Sequence, residues 1–421
     1  MTKNRNPPNV PRKEETLLEH CKSDLVSQRR LLLALIVLSF VARFAISACS
    51  IGTSDIPSFN RFAWSIDRDG LLATYRNDVE FNHPPIPPYW AWLAMRITRP
   101  LLHNPNPNLV WLAFAFVFRL PVILADAGSA WLLWKIWKKR ASEIGALKTV
   151  ALYAWCPAAI LVSAYHGNTD PIYAFFCLLS VYFIEDRDAP FLGGLALAAA
   201  INIKLVPVLL ILPLALSLRR WSDLFKFIGG LVPGVLPFVP PLLFATSSFA
   251  HNALAYKSRM ELWGIGYFLL AGAPEGATPQ AVIAYRDGGR YLLLALVVGW
   301  SLIARIWRRW NRYEIATVTF ALFLVFAPGF GVQYLVILLP LMFAARPRIA
   351  AIYGLFAGLF LLATYFVFWD GEFPLSSLVN LKTFPTPLGG AGLPAWGMLI
   401  CYSVIASWRG RHNSTATPDR R

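Results

Sequence analysis

The chain has 421 residues, of which 57% are hydrophobic and only 15% charged, far from the roughly 25% charge of a soluble domain. A formal net charge of +16 could suit a nucleic-acid partner, but here the basic residues punctuate long apolar runs, so they read as a topology signal and no nucleic-acid partner is expected. Composition therefore excludes a soluble globular domain and points to an all-α polytopic membrane protein.

Read along the chain, residues 1–30 carry Lys3, Arg5, Arg12, Lys13, Lys22, Arg29 and Arg30 and no cleavable signal pattern, which predicts a cytoplasmic N-terminal segment. A first span at 31–51 then exits into a large outer loop, 52–108. Within that loop an amphipathic helix should carry Asp67 and Asp69 on a solvated face. The run "EFNHPPIPPYW" follows, and 84–102 reads as a broken or interfacial helix anchored by Trp90, Trp92, Arg96 and Arg99. A full crossing there would strand "KIWKKR", 135–140, on the outer face. Further spans are expected near 109–134, 147–165, 171–184, 190–203, 205–218, 224–246, 290–306, 314–328, 333–345, 349–369 and 393–408, twelve in all. Each must be helical, because hydrocarbon offers the backbone no hydrogen-bond partner. The segments 190–203 and 205–218 meet at Lys204 and read either as two short crossings or as one broken helix. Residues 31–408 then form one transmembrane domain, and 409–421 a cytoplasmic tail.

With that threading, the unusual polar residues gather on one side. Asp55 opens the outer loop. Asn82 and His83 sit in a proline-stiffened turn, where fixed φ angles and missing backbone donors hold the geometry without a ladder. His166, Asn168 and Asp170 crowd a short outer turn, "YHGNTD"; they read as polar ligand contacts or, for Asn168 and Asp170, as helix caps ahead of Pro171. Lys204, set in "AAAINIKLVPVLL", must reach water or an anion. Tyr256 and Arg259 in "YKSRMELWG", with Lys257 and Trp263, form a second outer group, and Gln333 and Tyr334 open a later span. Arg119 and Asp126 lie two helical turns apart and read as partners inside the bundle, with Arg119 a secondary phosphate candidate.

Cys21, Cys49, Cys156, Cys177 and Cys401 have no metal-ligand spacing, and no glycine-rich phosphate loop follows a strand. No cofactor and no obligatory metal are expected. Polar chemistry collected at one face over apolar helices suits an enzyme whose lipid substrate enters from the bilayer, rather than a midplane transport site with paired broken spans.

The stretches "SDIPSFNRFAWSIDRDGLLATYRNDVEFNHPPI", "FRLPVILADAGSAWLLWKIW", "CPAAILVSAYHGNTDPIY", "NIKLVPVLLILP" and "GVQYLVILLPL", in that order, resemble the GT-C superfamily of integral membrane glycosyltransferases. The resemblance is to mannosyltransferases that use a polyprenyl-phosphate mannose donor, including the GPI enzyme of that type and bacterial relatives. It implies a GT-C-like bundle of about 12 transmembrane helices. It also implies transfer of a hexose, mannose by analogy, from a lipid-linked sugar donor to a glycan, lipid or protein acceptor on the non-cytoplasmic face, by inverting displacement. Asp55 would then be the catalytic base; its alternative is an acidic cap or solvated loop residue. Asn82, His83, His166, Asn168, Asp170, Lys204, Tyr256, Arg259, Gln333 and Tyr334 would bind substrate. The family's Asp-X-Asp is Asp55-Ile56-Pro57 here, which removes one carboxylate of a metal-binding reading. A lipid-linked sugar flippase or transporter and a surface polysaccharide polymerase or ligase remain as alternatives. Compact loops without a retention signal lead us to expect a bacterial inner membrane, with both termini cytoplasmic.

Overall fold

The computed structural model describes residues 12–104, 106–255, 263–271, 279–307, 310–368 and 388–409. Every regular element among them is helical. Helix α1 (Arg12–Cys49) leads into an outer cap made of α2 (Asp55–Asp69), α3 (Leu71–Asn77) and α4 (Ile86–Thr98), the last continued by a 3-10 turn over Arg99–His103. Helices α5 (Pro107–Lys138) and α6 (Glu143–Ala154) follow, then α7 (Pro157–Ile160), which runs into a π-turn over Leu161–His166. Helices α8 (Asp170–Asp186), α9 (Pro190–Ile203), α10 (Ile211–Ser217) and α11 (Trp221–Leu231) carry the chain to the short α12 (Val239–Phe244) and α13 (Thr246–Phe249). The remainder comprises α14 (Gly264–Ala271), α15 (Gln280–Trp307), α16 (Arg312–Phe326), α17 (Leu339–Ala345), α18 (Pro347–Phe368) and α19 (Leu393–Arg409).

Among the described residues, five helices are long and apolar enough to cross a membrane: Leu25–Cys49, Pro107–Lys138, Trp221–Phe244, Gln280–Trp307 and Pro347–Phe368. A sixth appears if Glu143–Ala154 and Pro157–His166, bent by 53°, are taken as one span. The chain is thus an integral multi-pass membrane protein, and five or six is the number that helix length supports. The other expected crossings are represented by pieces too short to span as single straight helices, such as Pro190–Ile203, Val206–Ser217 and Val332–Ala345. Proline is the physical reason for several of these breaks. Pro207 and Pro340 open new helical segments, and each removes a backbone donor where a continuous helix would need one. Between 190 and 218 the chain is broken, with Lys204 extended (φ −155°, ψ 148°) between α9 and a 3-10 turn.

The outer cap has its own core. Helix α2 buries Ile56, Phe59, Phe62, Ala63 and Ile66, the spacing of one face of a 3.6-residue helix. Gly70 (φ 81°) stops it. This face meets Ala91, Ala94 and Met95 of α4, Phe114 and Phe118 of α5, and Phe249. Each large side chain removed from water here contributes roughly 1.5–3 kcal/mol. Helix α4 starts on Pro87 and Pro88, which suit a first turn that has no use for their missing donors. It is 13 residues long and lies against α2.

Two polar pairings differ from expectation. Asp67 is not solvated: it accepts from Trp92 Nε1 at 2.9 Å and pairs with Arg96 at 2.9 Å and Arg99 at 3.5 Å, stapling α2 to α4. Asp126 does not partner Arg119, although both are on α5. It pairs with the fully buried Arg43 of α1 at 3.2 Å and accepts from the Tyr153 hydroxyl at 2.8 Å. A helical face shared within one element says nothing of which neighbouring helix supplies the partner.

Candidate functional site

The site is assembled by an arginine that touches no solvent. Arg119, 0% exposed, donates to Ser47 O at 3.4 Å, Ser50 O at 2.8 Å and Ile51 O, the carbonyls at the end of α1, and to Tyr165 O at 2.7 Å. Helix ends leave such carbonyls without partners and carry partial negative charge, so a cation is stabilised there. One side chain therefore ties the end of α1 at Ile51 to Tyr165 of the π-turn, 114 residues further on. Glycine is required at both contacts. A Cβ on Gly52 (φ 96°) would lie 1.9 Å from Arg119 Nη2, and one on Gly167 (φ 79°) would lie 2.5 Å from Ile56 Cδ1. Arg119 is consequently not a phosphate ligand: it is fully buried, and both of its terminal nitrogens donate to main chain.

This clamp sets Asp55 against "YHGNTD". Asp55 Oδ2 receives His166 Nε2 at 3.1 Å and Asn168 Nδ2 at 2.5 Å. His166 is held from its other side by the Tyr365 hydroxyl, 2.9 Å from Nδ1. The Asn168 amide is oriented because its Oδ1 accepts from Thr169 N at 2.6 Å. Thr53 Oγ1 closes the turn by donating to His166 O at 2.8 Å. Burial pushes the Asp55 carboxyl up, but the hydrogen bond and charge of His166, the Asn168 amide and the Lys204 charge outweigh it, and its pKa falls from 3.8 to about 2.

Lys204 forms the next part of the floor. Its ammonium donates to Asp170 Oδ2 at 2.9 Å and lies 4.4 Å from the Tyr334 ring centroid. Asp170 is fully buried and also accepts from Tyr173 Oη at 2.9 Å, so it supports Lys204 rather than a ligand. His166, 3% exposed, likewise acts through Asp55. His83 lies against Phe59 (4.7 Å) and Phe62 (5.8 Å), not against Trp90, whose indole donates to Phe118 O. Burial, helped by the Lys204 charge and opposed by Asp55, pulls the imidazole of His83 down from 6.5 to about 4, so it is neutral at pH 7.

These groups face a cavity of about 470 Å³, within the usual size range of small-molecule sites. Asp55, Asn82, His83, Asn168, Lys204, Gln333 and Tyr334 line it, seven of the sequence-predicted residues brought together from five separate stretches. Phe59 and Phe62 add apolar surface. Tyr256 and Arg259 lie outside the described residues. Trp263 is not free to stack on a ligand: it packs on Phe330 at 4.7 Å and donates to Leu324 O.

Three lining cations had escaped sequence reasoning. Arg61 bridges Asp78 at 3.3 Å and Glu80 at 2.5 Å on the rim. Arg286 and Arg290 line the opposite wall from α15. The signal for the last two was available in "RDGGR": arginines at i and i+4 share a helix face immediately before an apolar run. Among the described residues no group of three His, Cys, Asp or Glu side chains converges in a way that could hold a metal ion.

Residues 58–263 match the family model of the GPI transamidase subunit PIG-U. No curated protein matches the chain. The match takes in the outer cap and the helices through α13, and covers just under half of the chain. It corrects the reading of function: the similarity is to a subunit of a transamidase, not to a sugar transferase. The hexosyltransferase activity, with its flippase and polymerase alternatives, is therefore withdrawn, and the mannosyltransferase and polyprenyl-phosphate donor expectations go with it.

Proposed function

We propose that this chain is a binding subunit: a multi-pass membrane protein that seats the anionic, hydroxyl-rich headgroup of a glycolipid in the 470 Å³ cavity and works in contact with partner membrane proteins. The observation that carries this reading is the pairing of two unlike surfaces across one cavity. Lys204, Arg286 and Arg290 supply cations suited to a phosphate, while Asp55, Asn82, Asn168 and Gln333 supply fixed acceptors and donors suited to sugar hydroxyls. The aromatic rings of Phe59, Phe62 and Tyr334 give a sugar face an apolar surface. Similarity to a transamidase subunit supports the protein partners. The same reading includes the twelve-crossing topology, which puts the cavity in one aqueous compartment and the basic clusters in the other. It calls for no metal.

The test uses the full chain in lipid nanodiscs, with a fluorescent phosphatidylinositol glycan as probe. Saturable binding that survives EDTA, is competed by the phosphorylated glycan headgroup and is not competed by the dephosphorylated one supports the proposal. Equal competition by both, or no saturable binding by a folded protein, overturns it.

A further inference from the structure

A second polar cavity lies at the far end of the bundle and belongs to none of the chemistry above. It has a volume of about 340 Å³ and is lined chiefly by Glu185, Ser217, Arg219, Arg305, Trp310 and Arg312. The same end holds the other inner basic clusters: Arg140 and Lys139 meet Asp186 at 3.7 and 3.9 Å, and Arg346 meets Glu314 at 2.6 Å. Those cations are matched by carboxylates. Of the three cations around this cavity only Arg312 is.

The imbalance can be followed donor by donor. Arg312 is fully occupied: Nε donates to Ser217 Oγ at 3.0 Å, Nη1 to Glu185 at 2.8 Å and Nη2 to Ser217 O at 3.4 Å. Glu185, the only carboxylate on the cavity wall, is thereby neutralised. Arg305 uses Nη1 alone, on Leu216 O at 3.2 Å and Leu218 O at 2.8 Å, which leaves its Nε and Nη2 donors open. Arg219 is exposed and makes no hydrogen bond or ion pair among the described residues. Two guanidinium charges thus face a concave site that contains no anion to balance them. A planar guanidinium is the side chain best matched to a phosphoryl group, which it can grip through two parallel donors.

The surroundings suit a group anchored at a membrane surface. Trp310, packed on Trp300 at 5.0 Å and Trp307 at 6.1 Å, joins the cavity wall to the bundle core, and Trp307 is partly exposed beside it. On the adjoining turns of α15, Leu302, Ile303 and Ile306 are exposed, giving acyl chains an apolar track beside the cavity. We infer that this cavity is a phosphate-binding site at the cytoplasmic end of the bundle, with Arg219 and Arg305 holding the phosphoryl group of an anionic phospholipid headgroup or of a soluble phosphate.

Native mass spectrometry of the intact protein released from nanodiscs separates the outcomes. One arm compares retention of phosphatidylglycerol with phosphatidylcholine. The other measures thermal protection in neutral detergent by glycerol 3-phosphate. Arg219→Gln removes no hydrogen bond or ion pair among the described residues and should leave folding intact, while Arg305→Lys keeps a charged cap on Leu218 O but loses the fork. Each is expected to lower anion retention roughly fivefold, the weight of one basic residue at such a surface. Preferential retention of phosphatidylglycerol that Arg219→Gln reduces supports the site with a lipid as its source. Protection by glycerol 3-phosphate without lipid preference supports it with a soluble source. Equal retention of both lipids together with no protection by glycerol 3-phosphate overturns it, as does retention unchanged in both variants. The outer cavity's glycan probe should bind Arg219→Gln normally, so failure of this site and failure of the outer one can be told apart.

Discussion

The two walls of the outer cavity are built on opposite principles. On the floor, every charged group has a partner: Asp55 has His166 and Asn168, and Lys204 has Asp170 and the Tyr334 ring. On the α15 wall, the Arg286 side chain is 46% exposed and pairs with its neighbour Asp287 at 3.6 Å, and Arg290 donates to the Tyr291 hydroxyl at 3.0 Å, with no further ion pair of either among the described residues. The floor is preorganised and its parts belong to the fold; the wall is solvated, and its charge is available for a ligand. Buried charges are costly to strand, whereas exposed ones contribute little to stability. The comparison therefore separates residues whose loss should unfold the site from residues whose loss should only empty it.

Arg119→Ala is the most severe way to break this division. It removes donors from four main-chain carbonyls, most of them buried, and unties α1 from the π-turn. Unpaired buried acceptors cost about 1–3 kcal/mol each, so the variant should lose several kcal/mol and elute as aggregate in detergent gel filtration. A monodisperse variant with an unchanged melting temperature would refute the clamp. Lys204→Met comes next, because it leaves the fully buried Asp170 without its cation. Breaking one side of such a pair costs on the order of 3 kcal/mol, and Asp170→Asn in the same chain should recover a large part of the lost melting temperature.

The double variant Arg286→Ala, Arg290→Ala sharpens the contrast from the other side. Stability should change by less than about 0.5 kcal/mol, as for exposed charges generally, while affinity for a phosphorylated headgroup falls roughly tenfold or more. The smallest effect concerns pH. His83 has a folded pKa of about 4 against 6.5 unfolded, so the unfolded chain takes up the proton first as pH falls. Its contribution is fully present above pH 6.5 and is lost as the pH drops from 6.5 towards 4. Asp55, lowered to about 2 from 3.8, adds a second loss only below pH 3.8. His83→Phe, which retains the ring packing on Phe59 and Phe62, should flatten the upper of these two windows in a melting-temperature titration.

Much of the candidate site was legible in the residues themselves. A lysine inside an apolar run, a proline-locked Asn-His turn and an acid just past the first span are each costly or unusual in a membrane protein, and all of them line one cavity. What could not be read was which of the polar residues serve the others. Asp170 and His166 stand in the same short turn as Asn168 and all three are nearly fully buried, yet Asn168 alone of the three lines the cavity. Chain position gives no measure of depth. Arg119 was misassigned for a related reason: its partners are main-chain carbonyls at the end of another helix, which have no sequence identity to detect.

Sequence alone determined the solvent and the helical class, because hydrophobic run length and the distribution of Lys and Arg act locally and survive without knowledge of contacts. Tertiary structure decided the rest. It broke the expected spans at their prolines, paired Arg43 with Asp126 across helices, and set Asp55 against His166 and Asn168 at the edge of a cavity. Those outcomes depend on where distant segments meet, and the energy of a buried charge is set by neighbours that the local sequence does not name.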